Sequence, residues 1–420
     1  MLFSVADDLR MRILFFTDHF KPEPTAAASH ISERCALWAK WGHEVTAICA
    51  APNFPEGKVM AGYRNAWRSV QMDNGVRVVR VKTFIHPNEG FFLRSLDYLS
   101  YAISAACFSL LEPRPDVVIS SSPHLFVGVA GFVYSKLRRL PHVLEVRDLW
   151  PASITATRAM KPGLAIRALE KLESMLYRQA TRVIALSPSF VGHMCSRGAR
   201  RDSVDVVING ANLDLFRPKP RNEALRMELG LTGCFVVGYL GTMGLAHGLE
   251  NAIDAMGCLK GKAIKLLFVG PGPAKRALAA RAKELGLENV VFVPPQLREN
   301  MPEYWSLCDA SLIHLRNSEV FESVVPSKIF ESMAMGLPVI YVGPRGEGAA
   351  IVQKCGCGVV VPPADPGALA SAIEKLAGAA TECRFLAENS LKSAPQFSRE
   401  RQAEKSLESL EKASARRLHE

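Results

Sequence analysis

The sequence has no Cys-x-x-Cys pair, no regular cysteine spacing and no unbroken apolar run of the ~20 residues that a membrane-spanning helix needs. Its ten cysteines are scattered through apolar stretches, which excludes a disulfide framework or a zinc site and reads as buried thiols in a reducing cytoplasm. Residues 1–10 carry two acids and no apolar core of signal-peptide type, and a second possible start stands at Met11. Aromatic residues are only 8% of the chain and the basic residues are dispersed, so no stacking platform for nucleic acid is present. The longest apolar segment, 91–111, is broken by Arg94 and Asp97, which leaves the 14 residues from Tyr98 to Leu111. An amphipathic helix is expected there, either packed into the core or facing a membrane; Lys82, Arg94 and Arg114 nearby lean toward the membrane.

What is present describes a globular chain of 420 residues, 48% apolar and 22% charged, long enough for two cores. The net charge of +10 is uneven: residues 1–217 hold 27 basic and 19 acidic side chains. A basic first half either attracts an anionic partner such as an acidic membrane surface or simply aids solubility. MRILFFTDHF (11–20) reads as a strand buried on both faces, followed by a loop, KPEPTAAASH, and a helix from Ile31 that stops at Gly42. Further short strands are expected at 45–49, 76–84, 116–123, 142–148, 182–189 and 204 onward. The pattern restarts at 234–244, 264–273, 290–296, 309–315, 338–343 and 356–365. Alternating strands and helices give an α/β protein of two doubly wound parallel sheets, with domains over 11–217 and 218–395 and a terminal helix, 396–420, expected to cross back to the first.

Ligands of such sheets sit beyond the C-terminal strand ends, and a cleft between two such domains is the default site. GYLGTMGLAHGLENAIDAM (238–256) places Gly241, Gly244 and Gly248 between a strand and a helix, where free N–H groups can face a phosphate. It matches neither the dinucleotide-binding fingerprint nor a P-loop, which argues against NAD and against a kinase-type ATPase. A structural turn is the other reading. In FESVVPSKIFESMAMGLPVI (321–340), Pro326 fits a first helical turn, with Ser327 and Lys328 at the helix start and Glu331 one turn on. That set can hold a diphosphate and a ribose diol; a capping serine and a surface acid are the alternative.

Eight segments in this order resemble glycosyltransferase family 4 over nearly the whole chain: WGHEVTAI (41–48), EVRDLWPASI (145–154), ALSPSF (185–190), VINGANLDLF (207–216), GYLGTMGLAHGLE (238–250), FVGPGP (268–273), VPSKIFESMAMGLPVI (325–340) and CGVVVPPADP (357–366). They are most similar to the branch containing the L-fucosamine transferases of bacterial surface-polysaccharide synthesis. The resemblance implies a GT-B fold, a nucleotide-sugar donor held mainly by the second domain, and metal-independent transfer with retention of configuration. No cofactor is implied beyond the donor, expected to be a UDP-sugar. The acceptor implied is lipid-linked, a polyprenyl-diphosphate saccharide at the inner leaflet of the cytoplasmic membrane. The sequence lacks the Asp-x-Asp motif that holds a divalent metal in the other large glycosyltransferase fold, so helix ends and cations must meet the diphosphate charge.

By that resemblance the donor residues are Gly241, Thr242, Gly244, His247, Pro294, Ser327, Lys328 and Glu331, with Glu331 on the ribose. The catalytic candidates are Arg147, Asp148, Glu322 and Lys328, and the acceptor loop carries Pro24, Ala26 and Ala27. The family has two glutamates separated by seven residues; here Ser323 stands at the first position and Glu322 beside it. Thr242 and His247 replace an arginine and a lysine common in the family, which shifts the phosphate contacts onto Lys328 and backbone N–H groups. Arg147 and Asp148 either lie near the reacting centre or form a buried pair that braces their loop. His19 and His43 are weaker candidates, and His43 reads as structural. Two other functions share these features: a UDP-sugar 2-epimerase of the same fold, and a catalytically silent partner of a membrane assembly complex.

Overall fold

The computed structural model describes residues 10–54, 56–86, 91–122, 124–152 and 163–415. The N-terminal residues read for a leader, the last two residues of the EVRDLWPASI segment and the end of the terminal helix lie outside that set. The chain forms two compact units, Met1–Ile208 with Gln402–Glu420, and Asn209–Arg401. The division falls after Ile208 rather than at 217, because Ala211 bonds the carbonyl of Phe397 and bridges to Ser398 inside the second unit.

The first unit is built on β1 (Arg12–Phe16), β2 (Glu44–Ala50), β3 (Arg68–Asp73), β4 (Val76–Val81), β5 (Val117–Ser121), β6 (His142–Val146), β7 (Arg182–Ala185) and β8 (Val204–Val206). They lie in the order β3-β4-β2-β1-β5-β6-β7-β8, and only the β3–β4 pair is antiparallel. Successive side chains of a strand face opposite ways, so the RILFF run of β1 feeds two cores: Ile13 and Phe15 on one face, Leu14 and Phe16 on the other. Strand β3 is absent from the sequence reading. It is an edge strand with little buried surface, and its signal is the Asn74-Gly75 hairpin turn, both residues at positive φ.

The helix after β1 spans Ala26–Lys40, five residues earlier than its apolar periodicity indicates. The Thr25 hydroxyl accepts the N–H of Ala28 at 3.0 Å, and three alanines then tolerate the first turn at no side-chain entropy cost. The helix buries Ile31, Cys35 and Trp38, and the Trp38 indole donates to the carbonyl of Ala403 at 2.9 Å. Through this bond, and through Ala403, Leu410 and Ala413 in the same core, the terminal helix Arg399–Ala415 packs on the first sheet.

Segment 91–109 is a helix with two faces. Tyr101, Ala102 and Ala105 are buried, whereas Leu96, Leu99 and Ile103 are exposed. Among the described residues no helix is long and apolar enough to cross a membrane. His43 accepts the N–H of Met11 through Nδ1 at 3.2 Å, a structural contact. The cysteines are all unpaired, but Cys107 and Cys258 are exposed and four others only half-buried, so the reading of uniformly buried thiols does not hold. Both exposed thiols lie toward the ends of their helices.

The second unit has six parallel strands, β9 (Phe235–Leu240), β10 (Ile264–Val269), β11 (Val290–Val293), β12 (Ala310–His314), β13 (Val339–Val342) and β14 (Gly358–Val361). Their order is β11-β10-β9-β12-β13-β14, so the winding reverses between β9 and β12. In the first unit the corresponding reversal lies between β1 and β5. Crevices at such reversals are where open α/β sheets hold ligands.

Candidate active site

At the reversal of the second sheet, β9 is followed by Gly241, whose φ of +128° is open to glycine and disfavoured for other residues. A Cβ here would also stand 2.5 Å from Cε of Lys328. The missing side chain therefore lets the lysine lie along the turn. Behind it Gly270 approaches equally closely, since a Cβ there would come within 2.3 Å of the Gly241 carbonyl oxygen. The turn is anchored by the N–H of Gly241 on the carbonyl of Val269, by that of Met243 on Pro271, and by the buried Met243 side chain. Among the described residues, the N–H of Thr242, between those anchors, and that of Gly244, just past them, find no protein acceptor.

Lys328 places its ammonium 3.9 Å from the ring centroid of Tyr239, and the Tyr239 hydroxyl donates to the carbonyl of Thr242 at 2.8 Å. Burial pushes the lysine down to about 7, partly offset by the charge of Glu331. A cation that is only half-protonated near neutrality, beside unpaired N–H groups, is a site for an incoming anion. His247 stands edge-on to Tyr239 at 6.0 Å. Burial and the nearby Lys328 hold it near 4, so it is a neutral imidazole and not the extra cation that replacement of the family lysine calls for.

The sequence-derived set is thus partly assembled. Gly241, Thr242, Gly244, His247 and Lys328 come together around Tyr239, a ring to which the sequence reading assigns no role. The helix carrying Lys328 spans only Lys328–Ala334; Pro326 precedes it, and the Ser327 side chain makes no capping bond. Pro294 follows the edge strand β11, which β10 separates from β9. The Glu322 side chain is exposed, while its carbonyl accepts the N–H of Glu347 at 2.7 Å and leaves no room for a side chain at Gly346. Ser323 makes a local bond to the carbonyl of Val320.

In the first unit, Arg147 is braced by Glu145 at 3.2 Å and by His30 at 3.3 Å, while Asp148 is exposed, so the buried partner of Arg147 is not Asp148. Glu145 is fully buried and also accepts from Arg34 and from Ser121. Despite the burial, Arg34 and Arg147 pull its carboxyl down to about 2.

A second constellation, missed from the sequence apart from His19, gathers at the β1–β5 reversal. His124 bonds Asp18 at 3.3 Å, and His19 bonds Glu23 at 2.6 Å. Glu23 in turn accepts the N–H groups of Asn53 and Phe54. Tyr98 stacks on His124 at 3.7 Å. Burial opposes a charge on His19, but Glu23, Asp18 and Asp97 outweigh it and lift the imidazole to about 9. Burial and Asp18 raise Asp97 to about 7. Pro24 and Ala26 are exposed on the next residues of chain, with Ala26 and Ala27 opening the helix. The signal was available as Asp-His closing one strand and Ser-Pro-His closing another; the strand order that makes them neighbours was not.

Two Rossmann-like units, each with its polar residues at a sheet reversal, define a protein of the GT-B architecture. The chain superimposes on sucrose-phosphate synthase from Thermosynechococcus elongatus with a TM-score of 0.75 at 19% identity, covering 94% of this chain and 97% of that one. The Anabaena HepE structure, solved in complex with UDP, gives 0.71 at 19% identity over 96% and 100%. Residues 25–210 match the family described as Glycosyl transferase 4-like domain, and residues 234–378 the one described as Glycosyl transferases group 1. The chain belongs to these family 4, group 1 glycosyltransferases. WcaI from Escherichia coli (strain K12), provisionally named a colanic acid biosynthesis glycosyl transferase, is 26% identical over 78% of this chain and 82% of its own. A GDP-mannose-dependent alpha-mannosyltransferase from Mycobacterium tuberculosis is 24% identical over 79% and 78%.

Proposed function

We propose that this glycosyltransferase moves a sugar from a UDP-sugar, an amino or deoxy sugar, to a lipid-linked or saccharide acceptor in surface-polysaccharide synthesis. Transfer retains the anomeric configuration and uses no metal. The observation that carries this reading is the Lys328 ammonium lying against Gly241, beside the unpaired N–H groups of Thr242 and Gly244 at the reversal of the second sheet. As the sugar leaves, negative charge gathers on the diphosphate. Lys328 and those amides are preorganised to receive it, which lowers the barrier without a cation from solution. Glu331 holds the ribose; Ser327, His247 and Pro294 complete the donor side. Within the first unit Asp148 orients a reacting hydroxyl, with Arg147 beside it; within the second, Glu322 lies on the donor side. Pro24, Ala26 and Ala27 form the edge of the acceptor side, next to the Asp18–His124 constellation.

The UDP bound by HepE supports the choice of base, and the colanic acid name of WcaI supports a polysaccharide product. The L-fucosamine branch rests on the sequence resemblance alone. A panel of UDP- and GDP-sugars with chelator present, scored by the unfolding midpoint and by the anomeric configuration of the product, tests the reading. Protection by one UDP-sugar and a retained anomer are expected. Protection that requires magnesium, or an inverted product, contradicts it.

The acceptor side is proposed to work at the cytoplasmic face of the membrane. Leu99, Ile103, Leu110 and Leu111 are exposed, and the Arg138 guanidinium donates to the carbonyl of Leu110 while Arg114 donates to that of Arg138. Apolar side chains rimmed by cations suit an anionic lipid surface. Vesicles containing anionic lipid are expected to sediment the protein in low salt, and Leu99→Asp with Ile103→Asp to abolish it. Equal sedimentation of the variant contradicts this surface.

A further inference from the structure

His314 ends β12, directly across the sheet reversal from β9, and is almost completely buried. It is not among the residues that the donor reading uses, yet both of its ring nitrogens are engaged. Nδ1 lies 2.5 Å from the carbonyl oxygen of His247, and Nε2 lies 3.0 Å from the side-chain nitrogen of Asn251. A carbonyl only accepts, so Nδ1 carries the proton and Nε2 accepts from the Asn251 amide. The ring is thus a neutral imidazole of one fixed tautomer, in keeping with burial that holds it near 4.

What the ring holds is the phosphate-facing turn. Residues Leu245–His247 form one 3-10 turn, closed by Gly248 in the left-handed region. The N–H of Arg316, two residues past His314, donates to the carbonyl of Ala246 at 3.0 Å. A Cβ on Gly248 would strike the Arg316 side chain at 2.7 Å. Two consecutive carbonyls, those of Ala246 and His247, are therefore tied to the end of β12, and Asn251 ties the same ring to the first turn of the following helix. A leucine could fill this space. It could not donate to the His247 carbonyl, and a peptide released from that bond is free to flip and turn its oxygen toward a bound anion.

We propose that His314 and Asn251 are positioning residues for the donor diphosphate, holding the 244–248 turn with its N–H groups and the His247 ring set beside Lys328 before any ligand arrives. This rests on the donor site described under Proposed function. The rigid turn costs no reorganisation when negative charge develops, which is where a preorganised site acts.

The test compares UDP with uridine, which lacks the diphosphate, by calorimetry. His314→Leu is expected to weaken UDP binding about tenfold, the loss of one buried hydrogen bond to a preorganised turn, with uridine affinity unchanged. His314→Asn, whose amide stands near the position of Nδ1 and still donates, is expected to recover most of the UDP affinity. A folded His314→Leu that binds UDP like the wild type, or that loses UDP and uridine equally, overturns the proposal. Should His314→Leu fail to accumulate, Asn251→Ala gives the same comparison: selective loss of UDP supports the positioning role and an equal loss defeats it. Lys328→Ala separates the two layers. If it leaves UDP affinity intact, the donor reading itself fails; if it weakens UDP while His314→Leu does not, only the positioning role falls.

Discussion

Lys328→Ala is expected to lower kcat/KM by about 10²–10³, the range seen when one preorganised charge-stabilising donor is removed from an active site. The loss falls on kcat as well as on donor affinity, because the departing diphosphate carries more charge in the transition state than in the bound donor. The lysine also sets a pH dependence. Without ligand it titrates near 7, since burial disfavours the ammonium, and a diphosphate beside it raises that value. Binding above pH 7 therefore takes up a proton, and donor affinity falls as pH rises from about 7 toward the pKa of the complex. The donor's diphosphate stays ionised over this range, so the trend belongs to the protein. Calorimetry in two buffers of different ionisation enthalpy reads the proton uptake directly. It is expected in the wild type and absent in Lys328→Ala, where affinity is low and flat with pH.

Glu145→Gln is expected to destabilise the first unit by about 3–5 kcal/mol, the cost of breaking a buried ion pair from one side. The carboxylate faces two guanidinium groups, Arg34 and Arg147, and is itself fully buried. Among the described residues, Arg34 Nε and Nη2 find no hydrogen-bond partner, and the guanidinium lies over Phe15 and Trp38 at 5.2 and 5.3 Å, so it relies on the rings and on Glu145. Because Arg34 also donates to Ser406, the loss reaches the terminal helix. The folded pKa lies below the ordinary 4.5, so the stabilisation is fully present above that value and is lost as pH falls toward about 2. Hydrogen exchange at the amides of β1, β5 and β6 measures it. Faster exchange in the variant at pH 7, converging on the wild type at low pH, is the expected result; unchanged exchange at pH 7 contradicts the account of this cluster.

The parallel strands were legible because each is a short apolar run that ends in small or polar residues, and β1 and β9 to β14 fall where those runs do. Strand β3 was not, since SVQMD at an edge buries too little to leave an apolar pattern. The helix from Ala26 was misread by five residues because its first turn is set by the Thr25 cap rather than by periodicity. At the site, the glycine turn and Lys328 were legible from type and spacing. Their contact was not, for it depends on how closely the helix start approaches β9, and nothing in the sequence singles out Tyr239 as the ring between them. His314 meets Asn251 in one unit, and Asp18 meets His124 in the other, only through strand order. Composition and spacing carry no record of that order, so the polar residues at both sheet reversals became visible only in three dimensions.

The central claim is that a nucleotide diphosphate is held by the Gly241 turn and Lys328 with no metal ion. A crystal structure grown with UDP in the presence of EDTA tests it most directly. The diphosphate is predicted within hydrogen-bond reach of Lys328 Nζ and of the N–H groups of Thr242 and Gly244. Density for UDP elsewhere, or only after magnesium is supplied, would contradict the account.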